Sequence, residues 1–207
     1  DLTSKPQMWF YDVNAKVNMA LNDRNRLFFS LYSGGDHTVF NKLVKDYGMD
    51  WGNATATVRW NHILNDRTNV NTSAIFSNYY YKYKSLADGL QYLWKSDMQS
   101  YQLKSDWETH LDNSLSLKTG VSAHYFTTMP GAVTRANEDS NVMPSRLPRK
   151  MLWDMGLYAE SEYKFLSRFQ LNAGIRLSVL HAPGTSSYGA KTYVVPEPRA
   201  ELAYMPD

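Results

Sequence analysis

A chain of 207 residues with a net charge of +2 has room for one large β domain or two ordinary ones. Its acids and bases are well mixed, so nothing points to nucleic acid or to an acidic polymer, and the absence of cysteine excludes a disulfide framework and thiolate metal centres. Mean hydropathy is −0.50 and no run nears the roughly 18 apolar residues of a membrane helix, but strands that alternate lipid-facing and lumen-facing residues escape that test.

The chain opens on "DLTSKPQ", which has no basic segment followed by an apolar one. The expectation is that a leader has been removed or that the chain is an internal piece of something longer. Alternation begins at once. In "YDVNAKVNMALN", Tyr11, Val13, Ala15, Val17, Met19 and Leu21 share one face, and Asp12, Asn14, Lys16, Asn18, Ala20 and Asn22 the other. An Asn-Asp-Arg-Asn turn joins this run to "RLFFSLYSG", the arrangement of a β-hairpin.

The plan then repeats. "GNATATVRWNHIL" turns at Asn65-Asp66-Arg67-Thr68 and returns as "NVNTSAIFSNYYYKYK". "DMQSYQLKSDWETH" meets "SLSLKTGVSAHYF" at Leu111-Asp112-Asn113, and "LWDMGLYAESEYKF" meets "RFQLNAGIRLSVL" at Leu166-Ser167. A ninth run, "EPRAELAYM", precedes Pro206-Asp207. These turns are short, whereas residues 35–50, 85–97, 127–150 and 182–195 read as long loops. Short turns at one end and long loops at the other describe an outer-membrane barrel.

Aromatic residues cluster at both strand ends. Trp9, Phe10, Tyr11, Trp51, Tyr79 to Tyr81, Tyr83, Tyr125, Phe126 and Trp153 lie toward the loop end. Phe28, Phe29, Trp60, Trp107, Phe165, Phe169 and Tyr204 lie toward the turn end. Two such belts suit the two interfaces of a bilayer. The runs reach the 9–11 residues that a tilted membrane strand needs. Arg59, Lys104, Asp106, Glu108, Lys118, Glu160, Glu162 and Arg176 all fall in the phase that would face a watery interior. The fold expected is all-β, an antiparallel up-and-down meander of about nine long strands.

Catalytic patterns are sparse. His37, His62, His110, His124 and His181 are scattered with no metal-ligand spacing. His62 reads as an exposed turn residue and His124 as an interior wall residue within reach of a substrate. "SGGDH" lacks the helix of a phosphate loop, Asp36, Asp46 and Asp50 lack calcium-loop spacing, and "NAT" and "NTS" lie inside strands. Glu160 and Glu162 share a face, as an acid–base pair would, but Lys164 and Arg176 in the same phase make a charged wall the better reading. Ligand contacts are expected from Tyr92 and Trp94 in "GLQYLWKSD", from His124, and from Arg135 and Arg146 in the long segment 127–150. No enzyme activity, cofactor or metal site is expected.

"WGNATATVRWNHILNDRTNVNTSAIFSNYYY" (51–81), "LYAESEYKFLSRFQLNAGIRLSVL" (157–180) and "PEPRAELAYM" (196–205) together resemble the barrel of TonB-dependent outer-membrane transporters. The first is similar to members that carry an N-terminal carboxypeptidase-like regulatory domain. The resemblance implies a section of a 22-stranded barrel, residues 1–207, without its plug domain or TonB box. It implies a place in the cell outer membrane, in contact with lipid, with the protein's own plug and, through it, with the TonB complex. Its cargo would be a siderophore, cobalamin or glycan, a small molecule or oligosaccharide. Isolated, such a section has two open edges that invite pairing with another copy. The competing class is a soluble β-sandwich or carbohydrate-binding module, whose apolar faces would cover one another. A barrel enzyme is a third.

Overall fold

The computed structural model describes residues 6–42, 45–87, 90–166, 168–185 and 189–204. Most of the opening "DLTSKPQ", Ser167 of the last hairpin turn and the closing Pro206-Asp207 lie outside the described residues. The strands run in chain order as β1 (Gln7–Asn22), β2 (Asn25–Lys42), β3 (Lys45–Asn65), β4 (Thr68–Ala87) and β5 (Leu90–His110), then β6 (Leu115–Arg135), β7 (Ser145–Arg146), β8 (Lys150–Phe165), β9 (Phe169–Ala182) and β10 (Lys191–Tyr204). All belong to one antiparallel sheet ordered β1-β2-β3-β4-β5-β6-β8-β9-β10, and the two-residue β7 pairs with the end of β6. Every long strand therefore lies beside its neighbours in sequence. β1 and β10 do not meet, so the described sheet is open, as expected for a section of a barrel.

The short turns are built by side chains that imitate the backbone. Asn22 Oδ1 accepts from the Arg24 amide at 3.0 Å and from Asn25 Nδ2 at 2.9 Å. Asn65 Oδ1 accepts from the Arg67 amide at 2.9 Å, and Asp112 Oδ1 from the Ser114 and Leu115 amides at 2.7 and 2.9 Å. A side-chain acceptor two residues before an amide is what allows Asn and Asp to close tight turns. The β8–β9 turn carries no Asn or Asp in its sequence. There Leu166 adopts φ 51°, a left-handed conformation that costs a residue bearing a Cβ.

At the other end the structure corrects the sequence reading. The described residues of 35–50 and 85–97 are strand rather than loop: β2 runs to Lys42 and β3 starts at Lys45, while β4 runs to Ala87 and β5 starts at Leu90. β3, β5 and β6 are 21 residues long, about twice a membrane crossing. The alternation of polarity stops where the bilayer would end, but backbone pairing does not depend on apolar side chains and carries the hairpins further. Long connections remain at 136–149 and 183–190, each shorter than the loop read from the sequence. β6 passes one irregularity, where Asp97 faces Met129 but Lys95 faces Ala132. Pro130 sits in this bulge, where a strand can spare an amide donor.

Pairing register sorts side chains onto two faces. One row reads Ala15, Leu31, Ala56, Phe76, Tyr101, Tyr125 and Trp153 across seven strands. Phe76, Tyr101, Tyr125 and Trp153 form a continuous chain of rings with centroids 5.1, 6.2 and 4.6 Å apart. The adjoining residues of this face, such as Val17, Leu157 and Ile175, are 60%, 57% and 53% exposed. Among the described residues no second layer covers them, and Val70, Met129 and Ala132 are the buried apolar residues.

The aromatic belts need a correction too. Consecutive residues of a strand point to opposite faces, so a run such as Tyr79-Tyr80-Tyr81 cannot lie wholly in one belt. Register places Trp9, Tyr11, Tyr80, Tyr125 and Trp153 on the apolar face and Phe10, Phe28, Trp51, Tyr79, Tyr81, Tyr83 and Phe126 on the polar one. At the turn end Trp60, Trp107, Phe165, Phe169 and Tyr204 keep to the apolar face, with Phe165–Phe169 and Phe169–Tyr204 centroids 5.5 and 5.0 Å apart.

Candidate functional site

On the polar face another row reads Asn61, Asn71, Asp106, Gly120, Tyr158, Arg176 and Glu197 across six pairings. Its centre is a hydrogen-bonded cluster drawn from β5, β6, β8, β9 and β10. Tyr158 donates its hydroxyl to Asp106 Oδ1 at 2.6 Å, and Lys104 Nζ lies 2.9 Å from Asp106 Oδ2. Arg176 Nε donates to Ser178 Oγ at 3.0 Å, and Ser178 in turn donates to Glu197 at 2.6 Å.

Glycines make this crossing of strands possible. A Cβ on Gly120 would stand 2.4 Å from the Tyr158 ring, and one on Gly156 would stand 2.4 Å from an Arg176 guanidinium nitrogen. The missing side chains are the space through which Tyr158 and Arg176 reach the next strand. The result is a concavity of about 300 Å³ lined by Gln102, Lys104, Ser122, Tyr158, Glu160, Arg176 and Arg199.

Glu160 and Glu162 lie on this wall with different neighbours. Glu162 accepts Lys164 at 3.3 Å, while Glu160 falls in a row with Glu108, Lys118 and Arg199. Alternating charges across a ladder stabilise it, and this arrangement is a wall of alternating charges. Among the described residues no group of three potential metal ligands forms.

The residues expected to contact ligand are not gathered in one place. Tyr92 and Trp94, read from the sequence as loop residues, stand within β5 and face the polar side. Tyr92 pairs with Arg135, the last residue of β6, and its ring lies 5.9 Å from Tyr83, itself 6.4 Å from Tyr47. Trp94 fills the space over Gly131, where a Cβ would lie 2.5 Å from its indole. Arg135 Nε donates to the Val142 carbonyl at 3.0 Å and ties 136–149 to the strand.

His124 shares the polar face but sits earlier in β6, toward the turn end. At about 3.3 Å per residue it lies some 30 Å or more from Arg135. Its Nε2 is 2.8 Å from Ser100 Oγ, and the Phe126 ring lies tilted against it with centroids 3.6 Å apart. Arg146 pairs with Ala132 and lies on the opposite, apolar face. Tyr92, Trp94 and Arg135 therefore form one group, with His124 and Arg146 apart from it and from each other.

Sequence reasoning missed the Tyr158–Asp106 contact, which joins residues 52 positions apart, and the Arg149–Asp97 pair, which also spans 52. A glycine in polar phase opposite an aromatic residue was the available signal. It becomes readable only once the register is known.

No family model matches the chain, and no curated protein matches it in sequence. Its fold is found in solved structures. The copper transporter OprC aligns over 97% of this chain and 34% of its own, at 12% identity and a TM-score of 0.69. Fiu, the ferric-catecholate import receptor of K12 E. coli, aligns over 97% and 41%, at 15% identity and 0.66. BauA, the ferric preacinetobactin receptor of Acinetobacter baumannii, aligns over 92% and 36%, at 13% identity and 0.63. The chain thus spans between a third and a half of the length of these proteins.

Proposed function

We propose that the chain is a section of the barrel wall of a TonB-dependent importer, which carries a scarce nutrient across the outer membrane. One observation carries this reading: nine long antiparallel strands form a single sheet that is apolar on one face and hydrogen-bonded and charged on the other. In the membrane the apolar face meets lipid, and the two edges continue into further strands, because a bilayer tolerates no unpaired sheet edge. The polar face lines the interior, where Tyr158, Arg176, Lys104 and Arg199 would meet the plug domain that couples the barrel to the TonB complex. An isolated chain would pair its β1 edge with another copy.

The matched proteins are described as a copper transporter and as ferric-chelate receptors, which supports import of a scarce nutrient as the activity. Tyr92, Trp94 and Arg135 are the cargo contacts we propose at the loop end, with His124 deeper on the same wall. Rings with a neighbouring guanidinium suit a siderophore or a glycan better than a bare ion. The wall itself performs no catalysis. A soluble β-sandwich would require a second sheet over the apolar face, and the described residues supply none.

Fractionation of cells producing the protein that contains this chain tests the proposal. It should be recovered in the outer membrane and migrate faster on a gel unheated than boiled. Recovery as a monodisperse, detergent-free soluble protein would refute the barrel and favour the sandwich.

A further inference from the structure

The apolar face does not stay apolar to its loop-side end. Six residues beyond Phe76 and six before Tyr101, Lys82 and Lys95 stand directly opposite each other on that face, with Lys84 two positions farther along β4. Like charges facing each other across a ladder are destabilising, so this arrangement calls for an anion. Lys82 lies 5.3 Å over the Tyr80 ring, and Lys84, Lys95 and Arg146 have no hydrogen-bond or ion-pair partner among the described residues. Two of the carboxylates that the strands bring to the patch are engaged already. Asp50, opposite Lys82, is held by His37, and Asp97 is held by Arg149 at 2.8 and 3.1 Å.

Beside Lys95 the chain doubles back through β7 and borders an open, shallow cleft of about 410 Å³. Met129 and Ala132, both buried, line it with Pro144, as do Lys95, Arg146 and Asp97, the last already paired with Arg149. An apolar floor with a cationic rim, continuous with the lipid-facing band below it, selects a molecule with an acyl chain at one end and a negative charge at the other.

We infer that this cleft seats a phosphorylated lipid of the outer leaflet, its phosphate between Lys95 and Arg146 and part of an acyl chain on Met129 and Ala132. Lys82 and Lys84 add to the attractive field. The inference rests on the barrel reading above, and it gives Arg146 a role apart from cargo.

The test reconstitutes the protein carrying this chain in phosphatidylcholine nanodiscs doped with bis-phosphorylated lipid A or its dephosphorylated form, and counts retained lipid by native mass spectrometry. The phosphorylated form should be retained at least about tenfold better. K95Q/R146Q should lose that preference, while K95R/R146K and K164Q, a charge change far from the cleft, should keep it. Equal retention of the two lipids, an unchanged preference in K95Q/R146Q, or displacement by millimolar inorganic phosphate would overturn the lipid site. Failure to enter nanodiscs at all would instead refute the barrel reading, before any lipid is counted.

Discussion

Tyr158 reaches Asp106 only because Gly120, between them, has no side chain. Gly120→Leu should therefore push the ring off its partner and cost more stability than Tyr158→Phe, which removes one hydrogen bond worth about 1 kcal/mol. Urea unfolding of the detergent-solubilised protein reads both, and a G120L variant as stable as wild type would show that the ring has room elsewhere. The turn residues make a parallel case. Asn65→Ala leaves the Arg67 amide without its acceptor and should cost about 1 kcal/mol by the same assay. The two cases differ in how the sequence shows them. "LNDR" occurs at residues 21–24 and 64–67 and announces its turn locally, whereas Tyr158 and Asp106 are joined only by a register that spans three strands.

Each strand carries its two-faced character in its own residues, so the number, order and polarity of the strands were legible in the sequence. Their length was not. Beyond the apolar band β4 carries Lys82 and Lys84 and β5 carries Gln91 and Lys95, so the polarity signal fades while the ladder goes on. For the same reason Tyr92 and Trp94 read as loop residues when they are strand residues. The two faces should respond differently to charge. Leu157→Arg or Ile175→Arg places a guanidinium toward lipid and should cost about 2–4 kcal/mol, whereas Gln102→Lys on the polar face should change little. Near-equal costs would mean that the faces do not meet different solvents. Between β8 and β9, Leu166→Gly relieves a left-handed conformation and should raise stability by about 1 kcal/mol in the same urea unfolding assay.

Across the whole molecule, a single sheet with an exposed apolar face and two free edges is stable only where something else supplies the missing surroundings. The β10 edge is unusual. Its ladder with β9 is unbroken from Lys191 to Tyr204, so Pro196 and Pro198 must turn their donor-less nitrogens toward the free side. A strand laid there finds carbonyls but two fewer amides, and β1 is the better-equipped edge for pairing. Neither edge pattern nor cargo contact could be derived from periodicity, because both depend on which residues end up side by side. The central claim is that alternate residues of each strand face hydrocarbon and water. This chain has no cysteine, so single cysteines along β9 from 171 to 178 can each carry a spin label in the membrane-embedded protein. The odd positions should be relaxed by oxygen and the even ones by a water-soluble nickel complex, with a period of two; nickel access at the odd positions, or no periodicity, would contradict it.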